Sequence, residues 1–195
     1  INPDQIVLNI ANKSSSGNIL YFQPGRGEIS KSVKYLNTVL PANIIAIPYY
    51  SEMRDDKKRV VEKIDRYISR YNLPRSISYD MDLDKLDKNK IRYVSAETYN
   101  RAVIVSTNIA EASITFPGLS YVVDTGTKKI TDYDYKTRDD TLELRDISES
   151  SRKQRRGRVG RIAPGHVFYT YQRGQMELNK ESYKISTSNI SEVLY

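Results

Sequence analysis

The sequence predicts an α/β fold in which a parallel sheet is flanked by helices. Short apolar runs of strand length, such as 102–105 and 119–123, each end in a polar loop. The segment 55–71 has apolar residues at positions 60, 61, 64, 67, 68 and 71, the spacing of one buried helical face. With 195 residues the chain suits one domain with a hydrophobic core.

Helices and strands are predicted to alternate along the chain. Asn2 and Pro3 suit the cap and first turn of a helix that continues to about Asn12. Further helices are predicted at 28–36 and 55–71. The predicted strands are 19–22, 44–47 (ending at Pro48), about 76–79, 102–106, 119–124 and 167–171. Parallel strands of this kind are joined by crossover helices.

Between 128 and 147 the pattern changes to that of an inserted β-hairpin. The apolar residues that we expect to face one another across 139–140 are Ile130, Tyr133 and Tyr135 in one strand and Leu142 and Leu144 in the other. Such a hairpin could separate nucleic-acid strands, rest on another domain, or serve only as a packing element.

Two polar clusters follow apolar runs in the segment 101–126. The run from Ala102 to Val105 ends at Ser106 and Thr107, and a second run ends at 124–126. Loops at the carboxyl ends of strands hold the ligands in open α/β sheets. Both clusters are therefore candidate binding loops, although each alone would also suit an ordinary strand-to-loop transition.

The segment 154–161 carries the strongest chemical signal, with four arginines, one glutamine and two glycines in eight residues. Arg158 and Arg161 are three residues apart, and we expect them on one face of a helical turn. Two convergent guanidinium groups suit the charge of a phosphoryl group. Arg155 is expected to point away from that face, so that its loss should reduce turnover less than the loss of Arg161. The alternative is a basic patch that docks nucleic acid or faces solvent.

Composition restricts the functional classes. The net charge of +7 favours a polyanionic partner without identifying it. The absence of cysteine excludes disulfides and thiolate metal sites, and the only histidine, His166, is expected to be structural. The acidic segment 80–91 lacks the glycine and glutamate that a calcium loop needs, so no metal site is expected. No apolar run approaches the ~18 residues of a membrane span.

Three segments together resemble the superfamily-two helicases of the DEAH-like (DExH) group. The segment 17–29 resembles their motif IV, 105–126 their motif V and 154–161 their motif VI. Within this group the resemblance is strongest to the poxviral nucleoside triphosphate phosphohydrolases that unwind RNA. The resemblance implies a RecA-like sheet and the second motor domain of an NTP-dependent RNA helicase.

The chain lacks the motifs of the first motor domain. It contains no Gly-x-x-x-x-Gly-Lys-Ser/Thr and no Asp-Glu-x-His. The resemblance therefore implies that ATP or another NTP, with Mg²⁺, is bound mainly by a first RecA-like domain absent from this sequence. We expect residues 1–195 to form one domain of a larger protein, a view that the initial Ile1 supports, and to be inactive alone.

The resemblance also implies roles for individual residues, here by their numbers in this chain. The residues implied in catalysis are Arg158 and Arg161, as arginine fingers, and Gln154. The residues implied in nucleotide binding are Thr115 and Gly126. The residues implied in RNA binding are Thr107, Asn108, Ser51 and Arg26. Pro117 stands where the cellular proteins have a ribose-binding aspartate, which suggests tolerance of several nucleotides.

Other functions remain open on the sequence alone. The chain could be a nucleic-acid-binding or regulatory module that has lost its NTPase role, or part of a DNA translocase. Its Ile, Asn, Lys and Tyr bias suits the A+T-rich genome of a large DNA virus, which would place the parent protein in the virion and the host cytoplasm. Residues 72–100 match the helicases poorly, and 172–195 could pack here or lead toward further domains.

Overall fold

The computed structural model describes residues 2–68, 99–111, 116–134, 139–160, 165–171 and 191–194. The helices are α1 (Pro3–Lys13), α2 (Arg26–Val39), α3 (Asp55–Glu62), α4 (Ile64–Ile68) and α5 (Glu149–Arg156), with a 3₁₀ turn at Asn108–Glu111. The strands are β1 (Asn18–Phe22), β2 (Ile44–Tyr49), β3 (Arg101–Ser106), β4 (Leu119–Asp124), β5 (Thr127–Asp134), β6 (Asp139–Asp146), β7 (His166–Tyr169) and β8 (Ser191–Leu194). The strand predicted at 76–79 lies outside the described residues.

The main sheet confirms the predicted α/β class. Its strand order is β2-β3-β1-β4-β7-β8, and each neighbouring pair from β2 to β7 is parallel. The last strand, β8, pairs with β7 in the antiparallel direction. The sequence did not predict β8, because Ser191–Leu194 contains no apolar run of strand length.

Two apolar clusters cover opposite faces of this sheet, because successive side chains of a strand alternate between its faces. Ile19 and Tyr21 of β1 pack with residues of α1 and α2, whereas Leu20 and Phe22 pack with residues of α3 and α4. Helices on both faces are the arrangement expected of a parallel sheet. Within the described ranges, no helix is long and apolar enough to cross a membrane.

The first helix begins as the sequence predicts. The side chain of Asn2 accepts a hydrogen bond of 3.0 Å from the backbone N–H of Asp4, and Pro3 occupies the first helical position. Helix α2 is longer than the predicted 28–36 at both ends.

Two local predictions are wrong. The helix predicted over 55–71 is divided into α3 and α4 at Lys63, whose ψ of 37° departs from helical geometry. Strand β2 does not end before Pro48 but continues through it to Tyr49. It can do so because β2 is the edge strand among the described strands of the sheet, where a missing N–H donor is tolerated.

The predicted hairpin is confirmed as the antiparallel pair β5–β6, with a different register. Ile130 is opposite Glu143, whereas Leu142 is opposite Thr131. Ile130 and Leu142 are therefore not cross-strand partners. Positions 139 and 140 belong to β6 rather than to the turn, and Tyr135 lies outside the described residues.

Candidate functional site

The carboxyl ends of β2, β3, β1 and β4 follow one another along one edge of the main sheet. The segments that leave this edge carry Ser51 after β2, Thr107 and Asn108 after β3, Arg26 after β1 and Gly126 after β4. The fold therefore brings five of the predicted RNA-binding and nucleotide-binding residues to one edge. We call them the carboxyl-edge residues.

Backbone hydrogen bonds fix the neighbouring segments of this edge. The N–H of Thr107 donates to the carbonyl oxygen of Tyr49 over 3.3 Å, and the N–H of Gln23 donates to that of Ser106 over 2.8 Å. Gly126 is buried and Thr107 is half-buried, whereas the other three carboxyl-edge side chains are exposed. Exposed side chains on a fixed backbone can contact a phosphate backbone with little reorganisation.

Arg26 packs against an aromatic ring at this edge. Its guanidinium carbon lies 4.7 Å from the ring centroid of Tyr50, within the range of a cation–π contact. Tyr50 is itself buried. The ring therefore offers a fixed surface for an arginine side chain that is otherwise exposed to solvent.

The turn after β4 requires glycine at position 126. Gly126 has a φ of +73°, and its N–H donates to Oδ1 of Asp124 over 2.8 Å. A Cβ atom there would lie 2.4 Å from Cδ1 of Tyr171. The hydroxyl of Thr125 donates to the carbonyl oxygen of Phe22 over 2.8 Å, which ties the turn to β1.

Arg155 lies in the protein interior, with none of its side chain exposed. Its Nε donates to Oε1 of Glu111 and its Nη1 to Oδ1 of Asp124, both over 2.8 Å, and its Nη2 donates to the carbonyl oxygen of Thr127 over 3.1 Å. Its guanidinium carbon lies 4.5 Å from the ring centroid of Phe22. Arg155 therefore points into the protein, and its loss would leave two buried carboxylates without their cation. We call Arg155, Glu111 and Asp124 the buried ion cluster.

Hydrogen bonds satisfy both carboxylates of the buried ion cluster. The second oxygen of Glu111 accepts from the hydroxyl of Ser151 over 3.0 Å, and that of Asp124 accepts from the hydroxyl of Tyr171 over 2.9 Å. Burial alone lowers the pKa of Arg155, but the two carboxylates outweigh burial and hold its pKa above the usual value. The guanidinium therefore stays charged, and the cluster joins the segment 105–126 to the segment 154–161.

Helix α5 presents its exposed face to an open surface cavity of about 510 Å³. The cavity is lined by Ser150, Lys153, Gln154, Gly157 and Arg158. Gln154 is exposed and Arg158 is half-buried. Two predicted catalytic residues thus lie together on one surface, beside a lysine that the sequence did not single out.

The predicted convergence of Arg158 and Arg161 stays a prediction. Helix α5 ends at Arg156, and the chain then turns, with a φ of +82° at Gly160. Arg158 therefore lies just beyond the end of α5. Arg161 and Thr115 lie outside the described residues.

The cavity fits a phosphate group by the chemistry of its side chains. Lys153 and Arg158 supply positive charge, and the amide of Gln154 can donate a hydrogen bond or orient a water molecule. Among the described residues, no group of three or more His, Cys, Asp or Glu could hold a metal ion. The side chains that line the cavity suit an anion.

The buried ion cluster is the feature that sequence reasoning missed. Asp124 directly follows the apolar run 119–123, and Glu111 lies among small residues, where a charge needs a partner. Those two positions were the only sequence signal we identify for a buried ion pair. The cation that pairs with these two carboxylates could not be identified from the sequence. Arg155 is one of four arginines in eight residues, and nothing in the pattern separates the buried arginine from the others.

The sequence of this chain matches a known protein family. Residues 62–163 match the family model described as the helicase conserved C-terminal domain. The chain belongs to this family. It is a second RecA-like domain of the superfamily-two DExH type, which confirms the resemblance seen in the sequence.

The relatives are named as RNA helicases. A putative ATP-dependent RNA helicase of Acanthamoeba polyphaga mimivirus is 41% identical over 193 residues, which cover 96% of this chain and 10% of that protein. The ATP-dependent RNA helicase HrpA of Borreliella burgdorferi is 31% identical over 192 residues, which cover 95% of this chain and 20% of that protein. The chain thus spans a fifth or less of these relatives.

A solved structure supports the fold. The Escherichia coli DExH-box NTPase HrpB superposes on 94% of this chain, and on 19% of its own, with a TM-score of 0.62 and 24% identity.

Proposed function

We propose that residues 1–195 form the second motor domain of an NTP-dependent RNA helicase. The observation that carries this proposal is the placement of Gln154 and Arg158 on one open cavity, while Arg155 between them is buried as a support. A surface that only docks nucleic acid would not require a fully buried arginine, Arg155, to fix the helix that carries Lys153 and leads to Arg158.

The proposed role in hydrolysis is electrostatic. The first domain would bring ATP or another NTP, with Mg²⁺, to the cavity. Arg158, together with Arg161, meets the charge that develops on the γ-phosphate. Gln154 holds the phosphate or the attacking water, and Thr115 belongs to the same nucleotide-sensing segment. Pro117 supplies no carboxylate for the ribose, which supports the use of several nucleotides.

The proposed RNA contact is the carboxyl edge. Thr107, Asn108 and Ser51 offer hydroxyl and amide groups, and Arg26 offers a stacked guanidinium. Such groups contact phosphates and position a strand without reading its sequence. Gly126 connects this edge to the buried ion cluster through its hydrogen bond to Asp124.

The experiment compares Arg158→Ala with Arg145→Ala in the protein that carries this chain. Each variant loses one positive charge, but Arg145 is an exposed hairpin residue paired with Glu143 at 2.6 Å. Arg158→Ala should lower kcat for NTP hydrolysis by about 10³–10⁵-fold and leave the RNA Kd within about twofold, because an arginine finger acts on the transition state. Arg145→Ala should retain normal turnover.

The opposite outcome would favour the alternative of a binding module. If Arg158→Ala weakens RNA binding and leaves turnover normal, the basic segment is a docking patch. The chain alone, without a first domain, should show no NTP hydrolysis, because it lacks a phosphate loop. Magnesium-dependent turnover by the pure chain would contradict this assignment of roles.

We also propose that the parent protein is viral and acts in the virion and the host cytoplasm, in support of transcription. The 41% identity with a mimivirus protein and the A+T-type residue bias support this proposal. Mass spectrometry of purified virions tests it, and absence of the protein from them would exclude virion packaging.

A further inference from the structure

Both ends of the β5–β6 hairpin meet at Gly126. Strand β5 starts at the next residue, Thr127, which pairs with Asp146 of β6. The N–H of Ile147 then donates to the carbonyl oxygen of Gly126 over 3.0 Å. Helix α5 starts two residues further on, at Glu149. The turn at Gly126 therefore lies between the hairpin and the helix that carries Gln154.

Tyr171 holds this turn from one side. Its ring lies so close to Gly126 that a Cβ atom there would be 2.4 Å from the ring. Its hydroxyl donates to Oδ2 of Asp124 over 2.9 Å. Burial, and then the charge of Asp124, raise the pKa of the Tyr171 hydroxyl well above its usual value. The hydroxyl therefore remains a donor throughout the physiological range of pH.

Arg155 holds the same turn from the other side. It donates to Oδ1 of Asp124, the oxygen that also accepts from the N–H of Gly126, and to the carbonyl oxygen of Thr127. Asp124 is fully buried and shares its two oxygens among Tyr171, Arg155 and the turn. Tyr171 and Arg155 are therefore linked through the carboxylate of Asp124, so that loss of the Tyr171 hydrogen bond should change the position of Arg155.

We propose that Tyr171 is a positioning residue, which through Asp124 and Arg155 sets the place of Gln154 and Arg158 relative to the hairpin. This inference rests on the proposed function. Without the phenol hydroxyl, Oδ2 of Asp124 has lost its donor in a buried site, so the carboxylate reorients toward its other partners. Arg155 then moves with the carboxylate of Asp124, to which it is bonded, and the end of α5 moves with Arg155. Small displacements of transition-state contacts reduce rate strongly.

The test is Tyr171→Phe, with Tyr169→Phe as the matched control. Both variants lose one phenol hydroxyl. The hydroxyl of Tyr169 accepts from Arg152 of α5 over 3.3 Å, and its described hydrogen bonds do not include Asp124. Tyr169 therefore contacts the same helix through its hydroxyl, and its ring, which lies 5.5 Å from that of Tyr171, is kept in the variant.

The first measurement is amide hydrogen exchange in the protein that carries this chain. In Tyr171→Phe, exchange should quicken by about tenfold or more at Gly126 and also at Gly157 and Arg158, because the segments share Asp124. In Tyr169→Phe, exchange at these three amides should match that of the unsubstituted protein. If Tyr171→Phe changes exchange at Gly126 alone, or if both variants behave alike at 157 and 158, the inference is overturned.

The second measurement separates kcat from KM well below the melting temperature of either variant. Tyr171→Phe should lower kcat about tenfold with the KM for NTP unchanged, because transition-state contacts are displaced and ground-state binding is not. Tyr169→Phe should keep both values. Normal kcat in Tyr171→Phe overturns the inference. If the unsubstituted protein hydrolyses no NTP, the proposed function fails instead, and exchange at 157 and 158 still decides whether Tyr171 positions this segment.

Discussion

Nη1 of Arg155 donates to Oδ1 of Asp124 over 2.8 Å, and neither side chain is exposed to solvent. The two residues are 31 positions apart, one on α5 and the other at the end of β4. The core of this domain thus contains an ion pair at the start of the candidate site, and we expect stability and function to depend on the same contact.

Arg155→Ala should lower the free energy of unfolding by about 3–5 kcal/mol, because it leaves the buried carboxylates of Asp124 and Glu111 without their cation. Chemical denaturation measures this difference. Arg145→Ala removes an equal charge from an exposed pair and should change stability by less than about 0.5 kcal/mol. Equal stability of the two variants would show that the buried ion cluster contributes nothing.

The sequence predicted the strands more fully than it predicted the site. Apolar runs such as 102–105 identify buried strands because burial on both faces leaves few polar positions. The break at Lys63 was not predictable, since the apolar spacing of 55–71 continues across it. The burial of Arg155 depends on Glu111 and Asp124, which are distant in sequence, and local patterns do not report such contacts.

Gly126→Ala should destabilise the domain by about 2 kcal/mol or more. A side chain at a φ of +73° costs about 1–2 kcal/mol, and the added Cβ would also meet the ring of Tyr171. Gly27→Ala is the matched control, because Gly27 lies in α2 and a Cβ there has no neighbour within 4 Å. That substitution should stabilise by about 0.5–1 kcal/mol. Thermal unfolding of both variants checks the difference, and destabilisation of equal size would contradict it.

Part of the acid sensitivity of the domain should come from Glu28. Nζ of Lys129 lies 2.7 Å from Oε1 of Glu28, which links the hairpin to α2. Burial raises the pKa of Glu28, but the hydrogen bond from Lys129, a hydrogen bond from the backbone N–H of Glu28 and the charges of Lys129 and Lys31 together outweigh burial, so the pKa lies below its usual value. A depressed carboxyl pKa contributes stability above the unfolded-state pKa, near ~4.3, and that stability is lost as the pH falls through the folded-state pKa.

Glu28→Gln should therefore flatten the stability profile below about pH 5. The effect should stay below about 1 kcal/mol, because solvent screens this half-exposed pair. Denaturation midpoints between neutral and acidic pH measure it. A profile of Glu28→Gln that is as steep as that of the unsubstituted protein would assign the acid sensitivity to other carboxylates.

Arg26→Ala should weaken RNA binding by about the same factor for every sequence. If Arg26 contacts a phosphate, its loss also reduces the salt dependence of log K by about one unit of slope, because one fewer counterion is released. Fluorescence anisotropy with single-stranded RNA at several salt concentrations measures both quantities. Lys13→Ala removes an equal charge from the last turn of α1, at the amino edge of the sheet, and should leave the slope unchanged. An equal loss of slope in both variants would mean that the net charge of +7, rather than the carboxyl edge, attracts the RNA.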